Sequence, residues 1–180
     1  GFVAEENASA ALGPVGNSIL LNSRPDEMVV DSQEIYGYVT YLNSKSLSKI
    51  DLGTNTVVET IQLCGFVASL ALDPSDQFLY VGLGSGCQME DPANPGQYLD
   101  FNGAIDKIRL EDFSVTERLL RSTSNKHLLV DPSGRYLYGS FNNGLPFNTY
   151  DFINKIDLQN FLGGSIQNIQ SVYRADQIVI

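Results

Sequence analysis

The chain has 180 residues, of which 43% are hydrophobic, and a formal net charge of −10. One folded domain is expected at this length, and the apolar content excludes disorder along the whole chain. The negative charge argues against nucleic acid as a partner, and the longest stretch without charges or strong breakers, 64–72, is too short for membrane insertion.

The first segment, 1–16, is rich in small residues and closes on a Gly-Pro-Val-Gly breaker, which predicts a linker or arm. The chain starts with Gly1 and shows no signal-peptide pattern, so we expect a piece excised from a longer protein. A lone outer strand is predicted next, at 17–21. It would belong to a preceding structural unit.

A four-strand pattern then occurs three times. Each copy has an apolar strand, a turn that begins with Asp, a second strand with aromatic residues, and two further strands. The strand–turn–strand segments are 28–38, 70–80 and 128–138, the third strands are 47–52, 104–110 and 152–158, and the fourth strands are 56–61, 114–120 and 165–169. Extra residues fall only between the second and third strands.

Repeats of four short antiparallel strands are typical of β-propeller blades. We therefore predict an all-β fold, a partial propeller over 17–180 with about three four-stranded blades and flanking strands. Its units are 23–62, 63–120 and 121–170, with the start of a further unit at 171–180. A two-sheet sandwich is the structural alternative. Propellers have about four to eight blades, so the remaining blades are expected from the rest of the chain or another subunit.

Three segments resemble YVTN-type β-propeller repeats, which occur in surface-layer-like and lactonase-like propellers: Tyr38-Val39-Thr40, 48–61 and 131–138. The resemblance covers about 17–180 and implies a propeller fold. It implies no single activity, because such repeats serve adhesion, scaffolding and catalysis. The sequence departs from the family in strand three, where Lys49, Lys107 and Lys155 replace an apolar residue.

The repeated polar residues have structural explanations. Aspartate followed by Pro-Ser or a similar pair forms tight turns, which predicts that role for Asp31, Asp73 and Asp131. The three lysines could form a cationic ring, but we favour packing of their stems between blades with paired head groups. The single histidine, His127, is predicted to be solvated or in a cross-strand contact, so a lactonase-like activity rests on fold analogy alone.

The long connections between strands two and three are the predicted binding region. In a meander they emerge on the same face as the joins between units, and long loops on a rigid scaffold often carry binding residues. Alternatively, these connections only cover the opening of the central channel of the propeller. The residues predicted to contact a protein or glycan partner are Asp91, Tyr98, Asn142, Asn143, Phe147 and Tyr150.

The two cysteines are predicted to form a disulfide. Cys64 lies in the join between the first two units and Cys87 in the following strand-two to strand-three loop, so both fall on one face. Two free thiols are the alternative. A disulfide indicates an oxidising compartment, which predicts an extracellular, periplasmic or cell-surface location.

A calcium site is the only cofactor hypothesis that the sequence offers. Asp100, Asn102 and Asp106 present oxygen ligands at alternate positions near a glycine, and Glu90 or Asp91 could complete the shell. A hydrogen-bonded turn explains the same pattern and is favoured.

The favoured function is a non-catalytic binding or scaffolding module that is exposed on or outside the cell and uses its long loops. A lactonase-like or other hydrolytic propeller, with catalytic residues partly outside this chain, is the alternative. No reaction is assigned.

Overall fold

The structure is a computed structural model that describes residues 18–91, 93–121, 124–142, 151–163 and 166–170. The predicted arm at 1–16 and the predicted further unit at 171–180 lie outside these residues. The described strands are β1 (Pro25–Val30), β2 (Tyr36–Tyr41), β3 (Ser46–Asp51), β4 (Thr56–Gln62), β5 (Val67–Leu72), β6 (Phe78–Leu83), β7 (Cys87–Glu90), β8 (Tyr98–Phe101), β9 (Gly103–Arg109), β10 (Ser114–Arg121), β11 (Ser124–Val130), β12 (Tyr136–Asn142), β13 (Asp151–Asp157) and β14 (Gln167–Gln170).

The strands of the described residues form three four-stranded antiparallel sheets. Blade 1 has the order β1-β2-β3-β4, blade 2 has the order β5-β6-β9-β10, and blade 3 has the order β11-β12-β13-β14. The pair β7-β8 forms a separate hairpin, inserted between the second and third strands of blade 2. The predicted four-stranded antiparallel sheets are confirmed.

Residues 18–21 depart from the prediction of an outer strand, because the structure assigns them no strand. The side chains of Ile19 and Leu21 pack instead against the cluster of Val39, Tyr41 and Ile50 in blade 1. Their apolar character therefore reflects burial against blade 1, which a strand pattern alone does not distinguish from pairing.

The blades pack through a repeated aromatic contact. Tyr38 of blade 1 meets Phe113, which lies in the turn between β9 and β10, with ring centroids 5.9 Å apart. Tyr80 of blade 2 meets Phe161, which follows β13 and a short 3-10 turn, at 5.8 Å. Both rings of each pair belong to the buried cores between neighbouring blades. Blade 2, the central sheet of the three, is thus covered on both faces, as a propeller requires.

The predicted turn-forming role is confirmed for Asp31 and Asp131; the Asp73 carboxylate accepts a bond from the Ser75 hydroxyl of its own turn. The Asp31 carboxylate accepts hydrogen bonds from the backbone N–H groups of Ile35 at 2.8 Å and Tyr36 at 3.1 Å. Asp131 accepts the equivalent bonds from Arg135 and Tyr136, both at 2.9 Å. These bonds fix the turns between the first two strands of blades 1 and 3.

The meanders give the assembly two faces. The turn face carries the connections between strands one and two and between strands three and four, which include 31–35, 73–77 and 110–113. The loop face carries the joins between blades and the connections between strands two and three, which include 63–66 and 84–102.

Candidate functional site

The inserted hairpin is the main feature of the loop face. Its register pairs Cys87 with Phe101, Gln88 with Asp100, Met89 with Leu99 and Glu90 with Tyr98. Because side chains alternate along a strand, one side of the hairpin is apolar and the other is polar. The apolar side comprises Cys87, Met89, Leu99 and Phe101.

The apolar side runs outward from the core. Cys87 is fully buried, and Phe101 packs against the core between blades 1 and 2. Farther along the hairpin, Met89 is 40% exposed and Leu99 is 45% exposed. Tyr98, on the polar side, is 63% exposed. We name the exposed pair Met89 and Leu99 the hairpin strip.

The predicted disulfide is confirmed, and it fixes the base of the hairpin. Cys64 and Cys87 are bonded with their Cα atoms 4.5 Å apart. A side chain at Gly65 would meet the Cys87 sulfur and the Gly84 carbonyl oxygen, each at 3.1 Å, so the close approach favours glycine. Lys45 of blade 1 also donates to the Gly86 carbonyl oxygen at 2.9 Å.

Hydrogen bonds also order the outer end of the hairpin. The Asp91 carboxylate accepts bonds from the Ala93 N–H at 2.9 Å and from the Asn94 side chain at 2.7 Å. These donors, the Asn94 amide first, lower the pKa of Asp91, so the group keeps its charge. Glu90 accepts a bond from the Gly96 N–H at 2.8 Å. The tip is therefore a defined, negatively charged turn.

The six predicted partner-contact residues separate into three groups. Asp91 and Tyr98 belong to the hairpin. Asn142 ends β12 on the same face. Asn143, Phe147 and Tyr150 lie outside the described residues.

The calcium hypothesis needs correction at Asp106. Its side chain is fully buried, and both carboxylate oxygens accept bonds from Arg118, Nε at 2.6 Å and Nη2 at 2.8 Å. Asp100 lies on the exposed hairpin and accepts a bond from Gln88 at 2.8 Å, while Asn102 lies between β8 and β9. Within the ranges that the structure describes, no group of three or more His, Cys, Asp or Glu side chains could hold a metal ion.

The strand-three lysines make the same contact in all three described blades, although it lies within each blade rather than between blades as predicted. Each Nζ atom lies near the aromatic ring that begins strand two: Lys49 at 4.1 Å from the Tyr36 centroid, Lys107 at 4.5 Å from Phe78 and Lys155 at 3.7 Å from Tyr136. These are cation–π distances. Only the second lysine also forms a described ion pair, with Glu117 at 2.6 Å.

A cleft on the turn face was missed by the sequence analysis. It lies between blades 1 and 2, has a volume of about 690 Å³, and is lined by Gln33, Tyr36, Lys49, Asp76 and Phe78 among other residues. Its walls come from the Asp turns, the aromatic second strands and the lysine-bearing third strands, to which the sequence analysis assigned structural roles. The feature of the sequence that could have indicated this cleft is the lysine in strand three that recurs together with an aromatic residue in strand two.

His127 lies on β11 opposite Ser140, and its side chain is exposed. The structure thus places it at a solvated position. Among the described residues, the search for a helix long and apolar enough to cross a membrane found none.

The comparisons with known proteins identify a fold and no family. No family model and no curated protein matches the sequence. Among solved structures, the chain is similar to hydrazine synthase of Kuenenia stuttgartiensis, with a TM-score of 0.64 and 18% identity over 81% of this chain and 37% of that one. The described part of the chain is a partial β-propeller.

Two further structures support the same fold. A protein of unknown function from Desulfotomaculum acetoxidans DSM 771 matches with a TM-score of 0.57 and 14% identity, over 83% of this chain and 41% of that one. The β-propeller domain of Myceliophteria thermophila Cps50 (Swd1) matches with a TM-score of 0.55 and 10% identity, over 84% and 40%. The chain spans about two fifths of these structures, from 37% to 41%.

Proposed function

We propose that the chain is part of a YVTN-type propeller that works as a non-catalytic binding or scaffolding module. The observation that carries this proposal is the hairpin strip, in which Met89 and Leu99 are 40% and 45% exposed on a hairpin anchored by a disulfide. Exposed apolar side chains next to each other on a rigid support favour a contact with another protein.

Anchoring supports a binding role because it reduces the entropy lost on association. The hairpin is held at its base by the Cys64–Cys87 bond and at its tip by the Asp91 and Glu90 hydrogen bonds. A partner would then meet a preformed surface rather than order a flexible loop.

Charge favours one partner chemistry. Glu90 and Asp100 place two carboxylates on the polar side of the hairpin, Asp91 places a third at its tip, and the whole chain has a net charge of −10. We therefore propose that the partner contributes a protein segment that combines apolar and basic side chains. Of the two partner classes considered on this face, protein and glycan, the exposed Met and Leu favour protein.

The proposed location is extracellular, periplasmic or cell-surface, supported by the Cys64–Cys87 bond. The remaining blades are proposed to come from flanking sequence or from another subunit, since propellers have about four to eight blades.

The test uses the full-length protein and two fluorescent peptides, one of alternating Lys and Leu and one of alternating Glu and Leu. We expect the basic peptide to bind, with an affinity that falls as salt rises, and the acidic peptide to bind at least about tenfold more weakly. The Met89→Ser/Leu99→Ser variant should lose about tenfold or more in affinity for the basic peptide.

The matched control is Val58→Ser/Val115→Ser, which changes two apolar residues that are 51% and 38% exposed on outer strands. It should bind the basic peptide as the wild type does. Equal losses in both double variants, or none in either, would contradict a docking role for the hairpin strip.

A further inference from the structure

The cleft between blades 1 and 2 on the turn face has no role in the function proposed above. We propose that it is a binding site for a neutral carbohydrate, which packs between Tyr36 and Phe78 and is held by hydrogen bonds from both blades. It is independent of the hairpin strip, which lies on the opposite face of the molecule.

The size and the walls of the cleft suit a small ligand. Its volume of about 690 Å³ lies in the range of small-molecule sites. Blade 1 contributes Asp31 and Gln33, and blade 2 contributes Asp76 and Gln77. A ligand there would contact both blades at once.

Two aromatic rings provide apolar surface, one from each blade. Tyr36 begins β2, Phe78 begins β6, and both rings are partly buried and line the cleft. Phe78 also lines the next cleft, where Lys107 lies 4.5 Å from its centroid. A sugar ring has apolar C–H faces that pack against such rings while its hydroxyl groups remain available for hydrogen bonds.

The polar groups combine donors and acceptors. The Lys49 ammonium lies 4.1 Å from the Tyr36 ring centroid and donates a long bond, 3.4 Å, to the Leu110 carbonyl oxygen; among the described residues it forms no ion pair. The amides of Gln33 and Gln77 are exposed and line the cleft. Each amide can both donate and accept, as a sugar hydroxyl does.

The charges of the lining favour a neutral ligand over an ion. Asp31, Asp76 and Glu111 disfavour phosphate or carboxylate, while Lys49 and Arg109 disfavour an amine. The first two carboxylates are also held in place: Asp31 by the N–H groups of its turn, and Asp76 by the backbone and hydroxyl of Ser32. They are therefore preorganised to accept hydrogen bonds from hydroxyl groups.

The cleft between blades 2 and 3 shows the same elements in a smaller form. Its volume is about 430 Å³, and its lysine, Lys107, is neutralised by Glu117 at 2.6 Å. Gln159 lines this second cleft and is exposed. The second cleft therefore supplies a matched control within the same molecule.

The experiment measures saturation transfer by NMR from the full-length protein to maltotriose, cellotriose, mannotriose and chitotriose, with triglucuronate and triglucosamine as charged comparisons. At least one neutral trisaccharide should show transfer and bind at least tenfold more tightly than both charged ones. The variant Gln33→Ala/Gln77→Ala, which changes two exposed amides, should weaken that binding about tenfold, and Lys49→Met should also weaken it.

Two controls keep the result specific. Gln159→Ala should bind the trisaccharide as the wild type does, and so should the hairpin variant Met89→Ser/Leu99→Ser, whose own defect tests the protein-binding proposal separately. The carbohydrate proposal is overturned if no neutral trisaccharide shows transfer, if a charged one binds more tightly, or if Gln33→Ala/Gln77→Ala binds like Gln159→Ala.

Discussion

Blades 1 and 2 place different chemistry at the same buried position of strand three. In blade 1 this position is Ser48, whose hydroxyl bonds the Tyr41 hydroxyl at 2.8 Å and the Thr60 hydroxyl at 2.7 Å. In blade 2 it is Asp106, whose carboxylate is held by both the Nε and Nη2 atoms of Arg118. Both partners on strand four, Thr60 and Arg118, occupy the directly opposed register position.

The next residue of strand three also differs between the two blades, and again only blade 2 uses a charged pair. Lys49 and Lys107 are opposite Glu59 and Glu117 in the register, but only the second pair forms an ion pair, at 2.6 Å. The strand register thus places a polar residue of strand three opposite a polar residue of strand four in both blades. The chemistry of that pair differs from one blade to the other. At these positions blade 2 uses charged pairs, whereas blade 1 uses neutral hydroxyl groups and its lysine contacts the Tyr36 ring without a described ion pair.

The largest difference between the blades is expected on removing the buried polar group. Asp106→Ala leaves the Arg118 guanidinium without its buried partner and should lower the free energy of unfolding by about 3 to 5 kcal/mol. Ser48→Ala removes hydrogen bonds between neutral groups and should cost about 1 kcal/mol. Urea denaturation of both variants measures the difference.

A double variant sharpens this result. Asp106→Leu/Arg118→Leu removes both charges, so it should be clearly more stable than Asp106→Ala. Equal stability of Asp106→Ala and Ser48→Ala would show that the ion pair contributes no more than the hydroxyl network.

The same positions show what could be predicted from sequence. The fold was predictable because the strand pattern, the Asp turns and the lysines recur in each unit. The role of Asp106 was not, because it follows an Asp-x-Asn-Gly pattern that suggests calcium, while its partner Arg118 is 12 residues away and only the strand register brings them together.

The turn-face cleft is a second feature that could not be predicted from the sequence. Its rings and amides come from Tyr36 and Phe78 and from Gln33 and Gln77, which lie in two different blades. Each residue has an adequate structural explanation within its own blade. Their joint role follows only from the packing of one blade against the next, whereas the disulfide was predictable because topology alone placed both cysteines on one face.

The disulfide between the first two blades should have the next largest effect. It closes a segment with a sequence separation of 23 residues. Cys64→Ser/Cys87→Ser should therefore lower the free energy of unfolding by about 3 kcal/mol, because the unfolded chain gains conformational freedom. Denaturation of the wild type with and without a reductant gives an independent measurement, and an unchanged midpoint under reduction would contradict this contribution.

A smaller effect is expected from the lysine pairs. Double-mutant cycles with Lys107→Met and Glu117→Gln should give a coupling of about 1 kcal/mol, because this pair is close and partly buried. The matched cycle with Lys49→Met and Glu59→Gln should give a coupling near zero. Equal coupling in the two cycles would remove the distinction between the two lysines.

The smallest expected effect on the free energy of unfolding at neutral pH comes from the buried tyrosines of strand two. Burial first, and then the carboxylates of Asp31 and Asp76, raise the pKa of Tyr38 to about 12 from its ordinary value of 10.0. Burial, followed by Asp73 and Glu117, also raises the pKa of Tyr80 in blade 2. In both blades the folded state therefore holds the phenol proton more tightly than the unfolded state.

The sign of the pH dependence follows from these raised values. Below about pH 10 both states are protonated and the stability is fully present; above it the unfolded state loses its protons first, so stability falls as pH rises towards 12. Tyr38→Phe should show a shallower fall in the urea midpoint between about pH 8 and about pH 11.5. Tyr38→Phe/Tyr80→Phe should be shallower still, and a slope equal to that of the wild type would mean that these buried phenols do not control alkaline unfolding.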